Sequence, residues 1–471
     1  MASAVTSGMA SATGKVKVKA AILGAWYAVP LEALRPKWEQ REWFTKMHVT
    51  PKGGNKYGAC ATEDQSFWLH ARSPKFLYLP RFYGQSVFVA DKVKDIRWEG
   101  QPLAQECAFT SQLRPATKET PAQQEAADQV LHELRRTGGA MLELPCGFGK
   151  TVVSLYIAAS LGRRTLVVVN TTTLLEQWVE RIQQFLPAAA VGVVVQDRVQ
   201  VDNDVVVCML QTLRSRKYGA DVLQGFGTVI LDEAHHIAAR EFSKIMRLLP
   251  CRYVLGLSAT PDRNDGLGFV LNWLMGKTAY TAKRVANSDV TVRMIKYTQG
   301  FQGEIMYKNG QIGSARMLTT LSKDPKRTVL MVDTLHKVLV DEPDRQVLVL
   351  SDRRELLRDL NSQLSALGYE TQIMVGGSTT KKKKELNVRA HVLLSTYPFC
   401  AEGFDQPWRD TLVLATPRSN IEQSLGRILR KHADKKQPLV LDFVDPFSIF
   451  FGMQRKRHKY YKSLGYSVEQ V

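Results

Sequence analysis

The chain has 471 residues, 44% of them hydrophobic, enough for two or three domains with sizeable cores, which argues against a disordered or fibrous class. Lys and Arg outnumber Asp and Glu by 64 to 45, and the formal net charge of +19 favours a polyanionic partner, most simply nucleic acid, over solubility alone. Six cysteines without a Cys-x-x-Cys pair argue against a zinc ribbon or a disulfide framework and fit an intracellular, reducing compartment. No apolar run reaches the roughly 18–20 residues that a membrane crossing needs.

Residues 1–14 are small and rich in Ser and Ala, and read as a flexible tail. Lys15, Lys17 and Lys19 precede an apolar stretch, 20–29, that superficially resembles a secretory signal but reads as a first strand. Residues 15–112, with turn signals such as Pro51-Lys-Gly-Gly54, predict a small mixed or β-rich accessory domain. Its Phe76–Gly84 segment mixes aromatics with Arg81 and reads as core in preference to a strand-stacking surface. From 113 to 280 the pattern becomes apolar strands (141–144, 165–169, 205–208, 229–231, 253–257) alternating with helices (151–160, 174–186, 238–248). A second alternation over 290–450 has strands at 347–350, 392–394, 412–415 and 439–442, and helices at 355–367 and 421–431. Such alternation predicts an α/β fold with two parallel-sheet lobes, each sheet covered on both faces. Residues 451–471 read as a basic tail, and the segment 454–462 as a helix serving either a nucleic-acid contact or a solvated face.

Three motifs carry chemistry. Leu144-Pro145-Cys146-Gly147-Phe148-Gly149-Lys150-Thr151 follows a strand and opens a helix, so its N–H groups would cradle phosphate oxygens. Lys150 would neutralise the β- and γ-phosphates and the Thr151 hydroxyl would ligate Mg²⁺. The general pattern has Gly where Leu144 stands, although Gly147 and Gly149 still supply the turn. The strand Val229-Ile-Leu231 delivers Asp232 and Glu233 at its carboxyl end, with Asp232 suited to holding Mg²⁺ through water and Glu233 to activating the attacking water. Gln423-Ser-Leu-Gly-Arg427-Ile-Leu-Arg430 adds a distant arginine pair able to stabilise phosphoryl-transfer charge. Together, in this order, they describe an ATPase using ATP and Mg²⁺.

The Asp232-Glu-Ala-His235 box, with Ser258-Ala259-Thr260 after it, resembles the superfamily 2 helicases of the DEAH-type XPB branch. The wording of the phosphate loop, the Leu79-Pro-Arg-Phe-Tyr-Gly84 segment and the basic Tyr-rich end are most similar to helicases of large DNA viruses, the poxvirus transcript-release helicase among them. That resemblance implies two tandem RecA-like lobes. It implies that His235, Ser258, Ala259, Thr260 and Gln423 couple hydrolysis to movement, that Gly403 and Asp405 sit near nucleotide, and that Arg430 is the finger with Arg427 its partner. It further implies adenine recognition by Gln123 and nucleic-acid contacts from Thr171, Gln211 and Thr212. The expected function is an ATP-dependent helicase or translocase on DNA, with RNA as the alternative track, no membrane partner, and transcription or replication machinery as candidate company. A duplex translocase that displaces RNA or proteins without unwinding, and a binding scaffold with an inactive motor, are the rival readings.

Overall fold

Runs such as Leu166-Val-Val-Val169 and Val347-Leu-Val-Leu350 are buried on both faces, which a sheet covered by helices on each side permits. The computed structural model describes residues 15–51, 66–104, 106–117, 121–145, 147–215, 220–233, 239–259, 266–282, 289–307, 310, 312–375, 390–401, 406–429, 432 and 435–471. They divide into two units, one from residue 15 to 282 and one from 289 to 471.

The amino-terminal part of the first unit contains β1 (Val16–Leu23), β2 (Trp26–Pro30), β3 (His48–Val49), β4 (Phe67–Trp68), β5 (Ala71–Arg72), β6 (Phe76–Pro80) and β7 (Phe88–Asp95). Five of these form a mixed sheet in the order β5-β6-β2-β1-β7, with β1 and β7 parallel. The single strand expected over 20–29 is two strands, because the chain reverses at Gly24-Ala25 and pairs Ile22 with Ala28.

The rest of the unit holds β8 (Gly139–Glu143), β9 (Thr165–Val169), β10 (Val191–Val195), β11 (Arg198–Val199), β12 (Val205–Met209), β13 (Thr228–Leu231), β14 (Tyr253–Ser258) and β15 (Thr278–Thr281). The order is β11-β10-β12-β9-β13-β14-β8-β15, parallel except for β11. Alternate residues of each strand face opposite cores. Leu142, Val167, Val207, Ile230 and Leu255 pack on the helices Gln123–Thr137, Lys150–Leu161 and Thr172–Phe185. Met141, Val168, Cys208, Val229 and Val254 share a core with the helices Ala239–Met246 and Gly268–Met275 and with the amino-terminal sheet. The accessory region is therefore fused to this lobe by one core. Residues 98–104 and 106–110 also run along it, with Trp98 N–H donating to Pro250 O and Thr110 N–H to Phe185 O. Arg81 is 1% exposed and ties the two parts together, Nε donating to Gly24 O at 2.9 Å and Nη1 to Cys251 O at 3.0 Å. It is core, as the aromatic setting of the Phe76–Gly84 segment suggests.

The second unit contains β16 (Thr291–Lys296), β17 (Val347–Ser351), β18 (Thr371–Met374), β19 (Val392–Thr396), β20 (Thr411–Leu414), β21 (Leu439–Val444) and β22 (Ser467–Gln470). They form an all-parallel sheet in the order β18-β19-β17-β20-β21-β16-β22. Helices Pro325–Asp341 and Arg354–Ala366 cover one face, and Glu422–Ile428 and Ser448–Ser463 the other. This corrects the reading of 451–471 as a tail. The helix Ser448–Ser463 packs on the sheet and β22 extends it beside β16. Arg457 is not a surface cation: it is 2% exposed and grips Asp442 with Nε and Nη2 at 2.9 and 2.8 Å, and the Tyr461 hydroxyl donates to the same carboxylate. β15, β18 and β22 were not legible as strands because their edge positions leave them partly exposed and break the apolar run.

Candidate nucleotide site

The strand order decides the geometry. β14 lies between β8 and β13, so the phosphate loop after β8 and the carboxylates after β13 emerge on either side of Ser258 at the carboxyl edge of the sheet. Gly147 (φ 84°) and Gly149 (φ 98°) adopt left-handed backbone, which a glycine takes without Cβ strain. A Cβ at Gly149 would lie 2.5 Å from Gln123 Nε2. The helix begins at Lys150, whose Nζ is 3.4 Å from Leu144 O and 3.6 Å from Glu233 Oε1. Pro145 is buried, Phe148 is 3% exposed, and Thr151 is half-buried at the first turn. Cys146 lies outside the described residues.

Gln123 braces the loop from behind. It is 5% exposed; Nε2 donates to Phe148 O at 2.6 Å and Oε1 accepts from Arg114 N–H at 2.8 Å. The Arg114 guanidinium lies over the Phe148 ring, 5.2 Å from its centre. Gln124, by contrast, is exposed and donates to Asp128 and Tyr156.

Asp232 is 6% exposed and both of its oxygens are engaged. Oδ1 accepts the Glu233 N–H at 2.9 Å and Oδ2 accepts the Trp178 indole N–H at 2.8 Å. Burial, then the neighbouring Glu233, push its carboxyl up to about 6, with Lys150 and Trp178 opposing. Such a buried carboxylate gains from a cation beside it, so the chemistry of Asp232 fits a divalent ion. Glu233 has φ 50°, an uncommon conformation for a residue with a Cβ, of the kind found where a functional turn over-determines the backbone.

Ser258 and Ala259 are buried at the end of β14, and Leu144 N–H donates to Ser258 O at 3.1 Å. Thr260 and His235 lie outside the described residues. Thr171 follows β9 and its hydroxyl caps the helix Thr172–Phe185 by accepting from Leu174 N–H at 3.3 Å. Gln211 and Thr212 follow the neighbouring β12, and Gln211 Nε2 donates to Asn170 O at 2.8 Å, so the ends of these two strands come together. Gln211 is exposed, whereas Thr212 is 6% exposed with its hydroxyl accepting from Gln196 N–H. In the second unit Gln423 is half-buried and Arg427 is 8% exposed on the helix Glu422–Ile428, so Arg427 is not part of a solvated charged face. Arg430, Gly403 and Asp405 lie outside the described residues.

Sequence reading gave Trp178 and Arg114 no role. A signal for Trp178 was present: a buried indole requires an acceptor, and this one sits on the sheet-facing side of an amphipathic helix beside an acidic strand end.

Among known proteins, residues 117–263 match the family described as Type III restriction enzyme, res subunit. QP509L of African swine fever virus (Pretoriuskop isolate), provisionally named an ATP-dependent RNA helicase, is 30% identical over 376 residues, 74% of this chain and 72% of that protein. The chain is a superfamily 2 helicase related to those of large DNA viruses. Mimivirus L396, provisionally named an ATP-dependent RNA helicase, is similar to this helicase at 28% identity over 431 residues, 90% of this chain and 81% of that protein. The structure of S. cerevisiae Dbp5 bound to RNA and ADP BeF3 covers 74% of the helicase and 89% of its own chain with a TM-score of 0.53. At 16% identity that likeness carries the fold alone, the two RecA-like lobes.

Proposed function

We propose that this helicase hydrolyses ATP at the Lys150–Asp232–Glu233 site and uses the energy to move on nucleic acid, with DNA as its track. The observation that carries the reading is the 3.6 Å approach of Lys150 to Glu233 beside a buried Asp232, at the carboxyl ends of β8 and β13. Lys150 and the N–H groups around Gly147 and Gly149 bind the phosphates. Asp232, through water, and the Thr151 hydroxyl would hold Mg²⁺, which would supply neutralisation of phosphate charge. Glu233 orients the attacking water and takes its proton. Gln123 sets the position of the Phe148 carbonyl and thereby the loop. Arg427 and Arg430 supply transition-state charge, and Ser258, Ala259, Thr260, His235 and Gln423 relay nucleotide state, roles that rest on their motifs.

The restriction-enzyme family that residues 117–263 match supports a DNA track, as does the XPB-like wording of the Asp232–His235 box. The names of L396 and QP509L favour RNA as the second reading. Measuring ATP hydrolysis with single-stranded DNA, duplex DNA, RNA and no polymer separates them, and strand displacement beside it separates unwinding from translocation alone. Lys150→Ala is expected to abolish hydrolysis, and Glu233→Gln to bind ATP without turnover. Normal turnover by either variant refutes the site.

A further inference from the structure

We propose that the first unit carries a second phosphate-binding site, on the sheet edge opposite the nucleotide loop, that takes the backbone phosphates of a polynucleotide. A cavity of about 470 Å³ opens there. Its wall includes Gly138, Arg252 and Lys277, the residues immediately before β8, near the start of β14 and before β15. These strands are parallel, so the cavity lies at their amino ends, whereas Lys150 and Asp232 follow carboxyl ends. One five-residue strand, roughly 17 Å, separates the two edges.

The lining is strongly basic. Lys15, Arg97, Arg135, Arg136, Arg252 and Lys277 converge from separate segments, and Glu133 is the one carboxylate among the lining residues. Glu133 is 5% exposed and aligns two of the cations, with Arg136 at 2.8 Å and Lys277 at 3.5 Å. Behind the lining residues, Asp95 pairs with Arg97 at 2.6 Å and Arg252 at 2.9 Å, and Glu99 lies 3.4 Å from Arg252. Six cations against these three carboxylates leave an excess positive charge, held in place by carboxylates that each bridge two partners or join a bridged one. The cradle is also shaped by backbone. Gly138 has φ +83°, and a Cβ there would lie 2.4 Å from Arg97 Nη1, so glycine leaves the room that this guanidinium occupies. Arg135 and Arg136 also complement the carboxyl end of the helix Gln123–Thr137. That explanation does not extend to Lys15, Arg97, Arg252 or Lys277. Converging like charges gain from an anion, and phosphates matched by several Lys and Arg side chains are the anion that this helicase encounters in its track. Because the site belongs to one unit, binding there requires no ATP, and the site anchors the polymer and takes no part in stepping.

The test uses the full chain without nucleotide. Fluorescence anisotropy measures binding of labelled DNA and RNA oligonucleotides, single-stranded and duplex, against salt concentration. Arg135→Ala/Arg136→Ala/Lys277→Ala is expected to lower affinity about tenfold or more and to flatten the slope of log K against log salt by about 2, from roughly 0.7–0.9 per neutralised phosphate. Basal ATP hydrolysis without polymer is expected to stay unchanged and far-UV circular dichroism to show a folded variant, while the melting temperature falls because Glu133 loses both cation partners. A photo-crosslinking residue at Ser86, on the wall, is expected to capture the oligonucleotide. Tripolyphosphate stabilising the wild type but not the variant, with polymer binding unaltered, would keep the phosphate site and overturn the polynucleotide as its occupant. Unaltered binding of both, or an equal loss on neutralising the exposed Lys326, Lys337 and Arg358, would overturn the site itself.

Discussion

Replacing Arg457 with Ala is expected to unfold the carboxyl-terminal part of the second unit selectively. The substitution leaves Asp442, fully buried in β21, without its bidentate partner, and leaves Arg418 O without its 2.7 Å donor. Burial disfavours the arginine's charge, and the adjoining Asp442 more than restores it, so the Arg457 pKa is raised. Removing one partner of a buried pair typically costs about 3–5 kcal/mol, because the other charge stays behind uncompensated. For a unit of this size each kcal/mol moves the melting temperature by roughly 2–4 °C, so the expected fall is about 6–20 °C. The two units need not unfold together, so a whole-chain melt is the wrong assay. Hydrogen exchange of β21 and of the helix Ser448–Ser463, followed against urea, reads the local free energy directly. Lys456→Ala, on the exposed side of the same helix, is the control and is expected within about 0.5 kcal/mol of wild type. Arg457→Met/Asp442→Leu is expected to recover part of the loss, since an apolar pair removes the stranded charge. A change below about 1 kcal/mol in Arg457→Ala would refute the reasoning and return this arginine to the surface.

Trp178→Phe keeps a ring against the sheet but removes the donor to Asp232. At about 1.5–3 kcal/mol for a hydrogen bond to a charged group, kcat is expected to fall roughly 10- to 100-fold and the Mg²⁺ concentration for half-maximal rate to rise. Unchanged Mg²⁺ dependence would assign the indole to packing. Gln123→Leu removes both side-chain bonds to the loop region and is expected to weaken nucleotide binding about tenfold, read by titration of a fluorescent nucleotide; affinity like the wild type's would leave the loop self-supporting. Neutralising Arg455, Lys456, Lys459 and Lys462, the exposed cations of the last helix, is expected to weaken polymer binding across sequences while the fold stays intact, since Arg457 remains. Equal affinity at all salt concentrations would make that helix face a solubility feature.

The local code of this chain is plain where burial and turn chemistry act on neighbours in sequence. The apolar runs 205–208 and 141–144 read as buried strands, and the two glycines before Lys150 read as a turn into a helix; the structure has strands at Val205–Met209 and Gly139–Glu143 and a helix from Lys150. Pattern also separates two lobes, because the β/α alternation starts afresh after residue 290. Charge alone, by contrast, misassigns the end of the chain: a run of Lys and Arg looks the same whether one member points inward or none does. Position in the folded sheet decides that Arg457 meets Asp442, fifteen residues earlier in sequence, at the bottom of a core. Tertiary order likewise decides that β14 spaces β8 from β13, setting Lys150 3.6 Å from Glu233 across 83 residues of chain, and that Trp178 reaches Asp232. The convergence of Lys15, Arg97 and Lys277 on one cavity is of the same kind. Periodicity reports which face a residue shares with its neighbours, and long-range pairing alone fixes what that face meets.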